Sequence, residues 1–349
     1  MSSADAVHSW STDWQRHLPQ MDAARQAALV ADASAAIAKL QKLAGQPPKR
    51  AFHAACPYAT TTAELHIAAD LPRALAGSFF EPGASYRVVA RFSSAASRIA
   101  GQDAPDQRGV ALRVVGQGGK VQDLLFTSGS EAHHARDARA MIATLKAASA
   151  SLGPAGKLGG AATLMWELGL RDGLRVVRTV SALTDTGKSL ALIPFFSRSP
   201  YRLGDYAVKH RLVPVEGTAD GLLGGPGPAS LVRDLAERRR QGAVRYRWEA
   251  HGFVSPELTS LEDHREAWES PWAKLGELVL PQQAAASEAL AMEVSADIDT
   301  LSFSPFVRWD EHTLEPLGEL NMLRAAYQAS VAGSGRHADS RAPLHPAEV

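Results

Sequence analysis

Apolar positions recur at helical spacing through residues 22–44 (DAARQAALVADASAAIAKLQKLA), an alanine-rich stretch without proline. The pattern predicts one long helix, ended by Gly45-Gln46-Pro47-Pro48. From Lys49 to about Phe126 the pattern changes to short alternating or apolar runs: TTAELHIAA, YRVVARFSS, GVALRVVG and VQDLLFT, separated by turn clusters such as GQDAPDQRG and GQGG. Strand-length runs at this spacing predict an antiparallel sheet or barrel rather than alternating strands and helices.

Residues 134–195 read mainly as helix, in HARDARAMIATLKAASASL and LGGAATLMWELGLRDGLRVVRTVSAL, with Gly153-Pro154 as the break. This segment would cap or line one side of a barrel. Strand patterns return at YAVKHRLVPV, AVRYRWEAHGFV and LGELVLP, around a helical LVRDLAERRRQ. A last helix, LNMLRAAYQAS, precedes the polar tail GSGRHADSRAPLHPAEV, which is expected to be disordered. The pattern divides the chain into an N-terminal helical extension (1–48), a main α+β domain (49–331) and the tail (332–349).

Composition narrows the function classes. At 349 residues with 45% hydrophobic positions, the chain is long enough to hide roughly three quarters of its unfolded surface without staples. Its 37 basic and 37 acidic side chains balance, so no basic face stands out for nucleic acid or a membrane surface. The single cysteine, Cys56, excludes an intramolecular disulfide framework and a cysteine-rich metal centre. No apolar run reaches about 18 residues, and the polar N-terminus lacks the features of a secretory signal, so a cytoplasmic location is expected.

Several motifs fail on spacing. GPAGKLGG lacks the glycine spacing and the Ser/Thr of a phosphate-cradling loop, GQGGKV and GGPGPAS do not complete a dinucleotide fingerprint, and neither H-E-x-x-H nor G-x-S-x-G occurs. His133-His134 has metal-ligand chemistry without ligand spacing, because adjacent residues point apart on a helix or a strand. The plain reading is a helix start capped by Ser130 or Glu131. Cys56-Pro57 admits a peroxide-reactive thiol, a haem-binding Cys-Pro pair or an ordinary buried thiol.

One set of segments combines. Arg50-x-x-His53-Ala, Val89-Ala-Arg91-Phe92-Ser93, Asp106-x-Arg108-Gly109-Val-Ala-Leu-Arg, Asp123-Leu-Leu and Arg136-Asp137 occur in the order and at about the spacings of the haem catalase family. Pro200-Tyr201-Arg202-Leu-Gly204-Asp-Tyr-Ala-Val-Lys209, Glu262-Asp263, Ser270-Pro271-Trp272 and the stretch from Leu301 to Arg324 resemble its short, catalase-related bacterial branch. The resemblance spans about residues 49–331. It implies an eight-stranded antiparallel barrel wrapped by helices, with haem b held between barrel and helices.

The resemblance also implies roles. His53 matches a distal histidine, Arg50 and Arg91 match haem-propionate partners, and Ser93 matches a hydroxyl bonded to the histidine ring. Tyr327 matches the tyrosinate ligand of the haem iron, with Arg324 favouring loss of its proton. Arg324 precedes Tyr327 by three residues rather than the family's four, and both offsets share a helix face. A helix-anchoring tyrosine is the plain alternative. The family's asparagine after Asp-Leu-Leu is replaced, on this alignment, by Ser128, and the two following phenylalanines are absent.

The implied activity is a haem-dependent peroxidase acting on hydrogen peroxide or organic hydroperoxides with an unknown reductant, a better peroxidase than catalase because Ser128 stands in for asparagine. Two other readings stay open: a lipid-hydroperoxide isomerase, and a non-catalytic shell that binds haem or an apolar ligand. The short chain suggests a monomer or homodimer, with neither nucleic acid nor membrane as partner.

Overall fold

The computed structural model describes residues 2–44, 57–77, 80–95, 106–182, 189–215, 230–283, 301–310 and 313–327. Arg50, His53, Cys56 and the 332–349 tail lie outside the described residues. Among the described residues ten strands form one sheet: β1 (Pro57–Ile67), β2 (Ser85–Ser94), β3 (Arg108–Val115), β4 (Val121–Ser128), β5 (Phe195–Phe196), β6 (Tyr201–Leu203), β7 (Tyr206–Pro214), β8 (Val244–Gly252), β9 (Trp272–Leu280) and β10 (Thr313–Pro316). Eight of them close on themselves in the order β7-β5-β4-β3-β2-β1-β9-β8, because β8 pairs back onto β7. Every pairing is antiparallel, so the expected α+β barrel is the architecture found. The short β6 and β10 form a flap on β7. Three of these strands, β5, β6 and β10, are too short to have shown a period in the sequence.

The barrel interior is apolar. Val88, Ala90 and Phe92 of β2, Val110, Leu112 and Val114 of β3, and Leu124 and Phe126 of β4 share one buried cluster with Tyr246, Trp248, Leu275 and Leu278. Alternate residues on a strand face opposite sides of the sheet. The intervening residues of β2, β3 and β4 therefore face outward, toward the helices.

Those helices are α1 (Ser3–His8), α2 (Ala23–Ala44), α3 (Ala138–Ser151), α4 (Gly156–Ala182), α5 (Ser230–Gln241) and α6 (Gly318–Met322). The start of α3 differs from expectation. Asp137, not Ser130 or Glu131, caps it by accepting the Ala140 amide hydrogen at 2.9 Å, and residues 129–137 form a loop. Within α4 the chain turns back at Gly169 (φ 81°), and a side chain at Gly173 would press within 2.9 Å of the Leu164 backbone. The expected last helix is interrupted at Leu323, with helical conformation resuming at 324–327.

The N-terminal segment packs into the main body. Ala6, Val7 and Trp10 join the barrel cluster, and Trp10 lies so close over Gly252 that a Cβ there would fall 2.3 Å from its ring. Helix α2 contributes Ala33, Ile37 and Leu40 to a second cluster with Ile142, Leu145, Leu323 and, at its edge, Tyr327. Among the described residues no helix is long and apolar enough to cross a membrane.

Candidate functional site

A cavity of about 420 Å³ lies between the outer face of β2–β4 and the helices. Its floor follows from strand register. Arg91, Ala111 and Leu125 are opposite one another across three strands, and so are Ser93, Gly109 and Thr127; all six line the cavity. The small residues Gly109 and Ala111 keep the floor low, leaving room where a longer side chain would fill it. Met141, Thr144 and Ala148 of α3 form one wall, and Leu320, Arg324 and Tyr327 another.

The roof is the 301–310 segment, which brings Ser302, Phe303 and Pro305 to the cavity. A fully buried ion pair clamps it in place. Arg113 donates to both carboxylate oxygens of Asp123, at 2.8 and 2.7 Å, and to the Ser302 carbonyl at 2.7 Å. Asp123 also accepts the Ser304 amide hydrogen at 2.8 Å. A buried charge pair is tolerated when its remaining hydrogen-bonding capacity is satisfied, and here each partner also holds the roof backbone.

Four of the residues singled out from the sequence meet at this cavity: Arg91, Ser93, Arg324 and Tyr327. The offset of three between Arg324 and Tyr327 still brings them into electrostatic contact. Burial pushes the Tyr327 phenol well above its ordinary pKa, and the Arg324 guanidinium works against that rise. The same guanidinium acts on buried Tyr201, whose phenol burial also raises.

Ser128 has a different place from the one expected. Of these two neighbours it is Thr127, not Ser128, that joins Leu125 in lining the cavity. Ser128 lies on the other face of the strand, and its hydroxyl accepts the Arg108 amide hydrogen at 2.8 Å. The cause is parity: Ser128 is two residues from Phe126, which points into the barrel core, while Thr127 alternates with Leu125 on the outer face. A one-residue ambiguity in alignment is a complete change of face in a strand.

The loop from 129 to 137 supplies two residues whose spacing in the sequence gives no sign of a shared site. His133 and His134 both line the cavity, with ring centroids 4.3 Å apart and planes inclined by 28°. They do not point apart as adjacent residues on a helix or strand do, because the backbone there is neither. Burial, reinforced by the charge of Arg198, lowers the His134 pKa to about 3, and burial together with His134 and Arg198 holds His133 well below 6.5, so both rings are neutral. Among the described residues no group of three or more His, Cys, Asp or Glu is arranged to hold a metal ion.

Two anchors fix this loop. Arg198 sits in left-handed backbone conformation (φ 59°) at the cavity edge and donates to the Ser130 carbonyl at 3.0 Å, to the Ser128 carbonyl, and to Gln107 Oε1 at 3.4 Å. Such a conformation costs a non-glycine residue on the order of 1–3 kcal/mol and persists where surrounding bonds over-determine it. Behind the loop, Glu131 Oε1 accepts the Trp268 amide hydrogen at 3.0 Å and lies 3.3 Å from Lys209 Nζ and 3.1 Å from His251 Nε2. Burial opposes ionisation of Glu131, but His251 and Lys209 together hold its pKa below the usual carboxylate range. Nothing local in the sequence marks Arg198. Its role appears only when the turn after β5 meets the end of β4.

The lining suits a molecule that is partly anionic and partly apolar. Among the described lining residues three guanidiniums, from Arg91, Arg198 and Arg324, accompany one carboxylate, Asp106, between walls that include Met141, Ala148 and Leu320. Its volume falls within the range of small-molecule and cofactor sites, roughly 300–1,000 Å³.

No protein-family model matches this sequence, and no curated protein matches it. Solved structures do. The chain is similar to catalase A from Saccharomyces cerevisiae (TM-score 0.56, 14% identity, covering 86% of this chain and 62% of that one). It is similar to a fungal catalase (0.54, 17%, 86% and 60%) and to a bacterial catalase (0.54, 15%, 82% and 59%). It thus spans about three fifths of the length of these catalases. The closed antiparallel barrel with helices on its outer face is therefore a catalase-like fold.

Proposed function

We propose that the cavity binds haem b and that the protein is a haem-dependent peroxidase of the short catalase-related kind, decomposing hydrogen peroxide or organic hydroperoxides. The observation that carries this reading is the meeting of Tyr327 and Arg324 with Arg91 and Ser93 around one cavity, from segments more than 200 residues apart in sequence. The donor set suits the group: a buried phenol beside a guanidinium for the iron, further guanidiniums for carboxylates, and apolar walls for a macrocycle. When bound, the haem supplies the redox chemistry by which an O–O bond is broken.

The protein residues would divide the remaining work. Tyr327 Oη would hold the iron, and Arg324 would favour the phenolate over the phenol that burial alone prefers. Arg91 would neutralise a carboxylate, and Thr127 would offer a hydroxyl from the floor. His53, whose role rests on the resemblance, would take a proton from one peroxide oxygen and return it to the other, as a neutral imidazole does near pH 7. With a hydroxyl rather than an amide presented by β4, docking of a second peroxide is weaker and one-electron donors are favoured over oxygen release.

The elevated phenol pKa of Tyr327 supports a second reading, in which the tyrosine stays neutral and the cavity holds an apolar ligand without catalysis. Titration with hemin separates the two. The first reading expects one equivalent bound with a ferric tyrosinate spectrum, and at least a hundredfold weaker retention in Tyr327→Phe. Hemin uptake that is absent in the wild type, or unchanged in spectrum and strength in Tyr327→Phe, would overturn it.

A further inference from the structure

His133 is held in a way that leaves one hydrogen-bond donor for whatever fills the cavity. Its backbone N–H donates to the His264 carbonyl at 2.7 Å, and its ring stacks on His134. Nδ1 accepts the amide hydrogen of Ala135 at 2.9 Å. The same Nδ1 lies 3.3 Å from the Ala135 carbonyl, but the amide contact is shorter, and an amide hydrogen cannot turn away from a hydrogen on Nδ1. A neutral ring that accepts at Nδ1 carries its proton on Nε2. Among the described residues the ring's hydrogen-bond contacts are all at Nδ1, and the ring lines the cavity.

We infer that His133 Nε2–H is a fixed hydrogen-bond donor to an acceptor oxygen of the cavity's occupant, and so a residue that sets which molecules the cavity prefers. The donor is pre-oriented on three sides: by the Ala135 amide, by the His264 carbonyl and by the neighbouring imidazole. Burial next to Arg198 keeps the ring neutral, so the site offers an N–H without adding a fourth cation to the three guanidiniums. Such a donor favours oxygen acceptors over apolar groups of the same size, because an apolar occupant would leave the N–H desolvated and unpaired. His134 stiffens this arrangement: among the described residues its own buried nitrogens have no partner, and its contribution is the ring face that His133 stacks on.

The inference rests on the haem reading, and the acceptor oxygen has two sources, a carboxylate of the cofactor or a small ligand bound beside it. The test uses the full-length protein, His133→Phe, which keeps a ring and removes the donor, and His133→Gln, which keeps an N–H. Nitrogen-15 histidine spectra of the unloaded protein should show the Nε2–H tautomer for His133. Hemin, hemin dimethyl ester and, on the hemin-loaded protein, fluoride are then titrated by visible absorption.

If the oxygen belongs to a small ligand, His133→Phe should bind fluoride about tenfold more weakly with hemin affinity unchanged, and His133→Gln should recover most of the loss. If it belongs to a carboxylate, His133→Phe should bind hemin about tenfold more weakly, with a smaller difference between the two proteins for the dimethyl ester, whose carbonyl is a weaker acceptor than a carboxylate. Should His133→Phe not fold, His133→Met takes its place. An Nδ1–H tautomer, or hemin and fluoride affinities unchanged in the donor-free variant, overturns the role of His133 and leaves the haem reading standing. A wild type that takes up no hemin overturns both.

Discussion

Toward the barrel axis, β2, β3 and β4 carry Phe92, Leu112 and Phe126; toward the helices the same strands carry Arg91, Arg113, Asp123 and Thr127. The inner residues interlock with Tyr246 and Trp248 and leave a filled barrel. The outer ones surround a cavity and hold its roof by an ion pair. Both faces are largely buried, so burial does not distinguish the packed side from the cavity side. The distinction is how the buried groups are satisfied: by packing inside, and by charge, hydrogen bonds and open volume outside. A closed barrel has no free edge, and its packed interior supplies the rigidity against which a loosely filled outer site can be built.

Acid should have the largest effect, and it acts on both sides of the wall. Burial depresses the pKa of His210, whose ring packs against Phe126 in the barrel, of His134 at the cavity and of His264 beside it, each to about 3. The unfolded chain protonates these rings below about pH 6.5 and the folded chain does not, so stability falls as the pH drops from about 6.5 toward 3. Circular dichroism should find cooperative unfolding inside that window. A chain still folded at pH 3 would mean that one of the two sides tolerates charged imidazoles.

Next comes the clamp on the outer face. Asp123→Ala leaves Arg113 buried without its carboxylate and should cost about 3–5 kcal/mol in denaturant unfolding. On the inner face, Phe92→Ala should cost about 3–4 kcal/mol through the cavity it leaves, with hemin affinity little changed for the protein that remains folded. If Phe92→Ala impaired hemin binding more than stability, the two faces would not be separable as described.

The smallest effects test parity within one strand. Ser128→Val removes the acceptor of the buried Arg108 amide and should cost about 1–3 kcal/mol. Thr127→Val, one residue away, should change stability by less than about 1 kcal/mol and instead alter ligand binding in the cavity. Equal destabilisation by the two substitutions would contradict the assignment of Thr127 to the cavity and Ser128 to the core side.

Much of the fold was legible. The long strands β1–β4 and β7–β9 were visible as alternating or apolar runs, and the resemblance supplied the closed barrel that periodicity left open between sheet and barrel. The short strands were not, because two to four residues carry no period. The cavity lining was legible where motifs carried it: Arg91, Ser93, Arg324 and Tyr327 stand out in the sequence, and the fold brings them to one cavity. It was illegible on β4, where the run Leu124-Leu125-Phe126 is apolar on both faces and so hides its register.

By itself the sequence determined period, sign and residue type: where strands and helices form, that charge is balanced, and which phenol and guanidiniums are available. These are local properties, fixed by neighbours within a few positions. Which face of β4 carries Thr127, that His133 and His134 lie together on a cavity, and that Arg198 ties the loop bearing them to β4 were decided only by tertiary structure. Each depends on contacts between segments far apart in the chain, and the free energy of closing those contacts is set by the closed barrel rather than by any stretch of sequence alone.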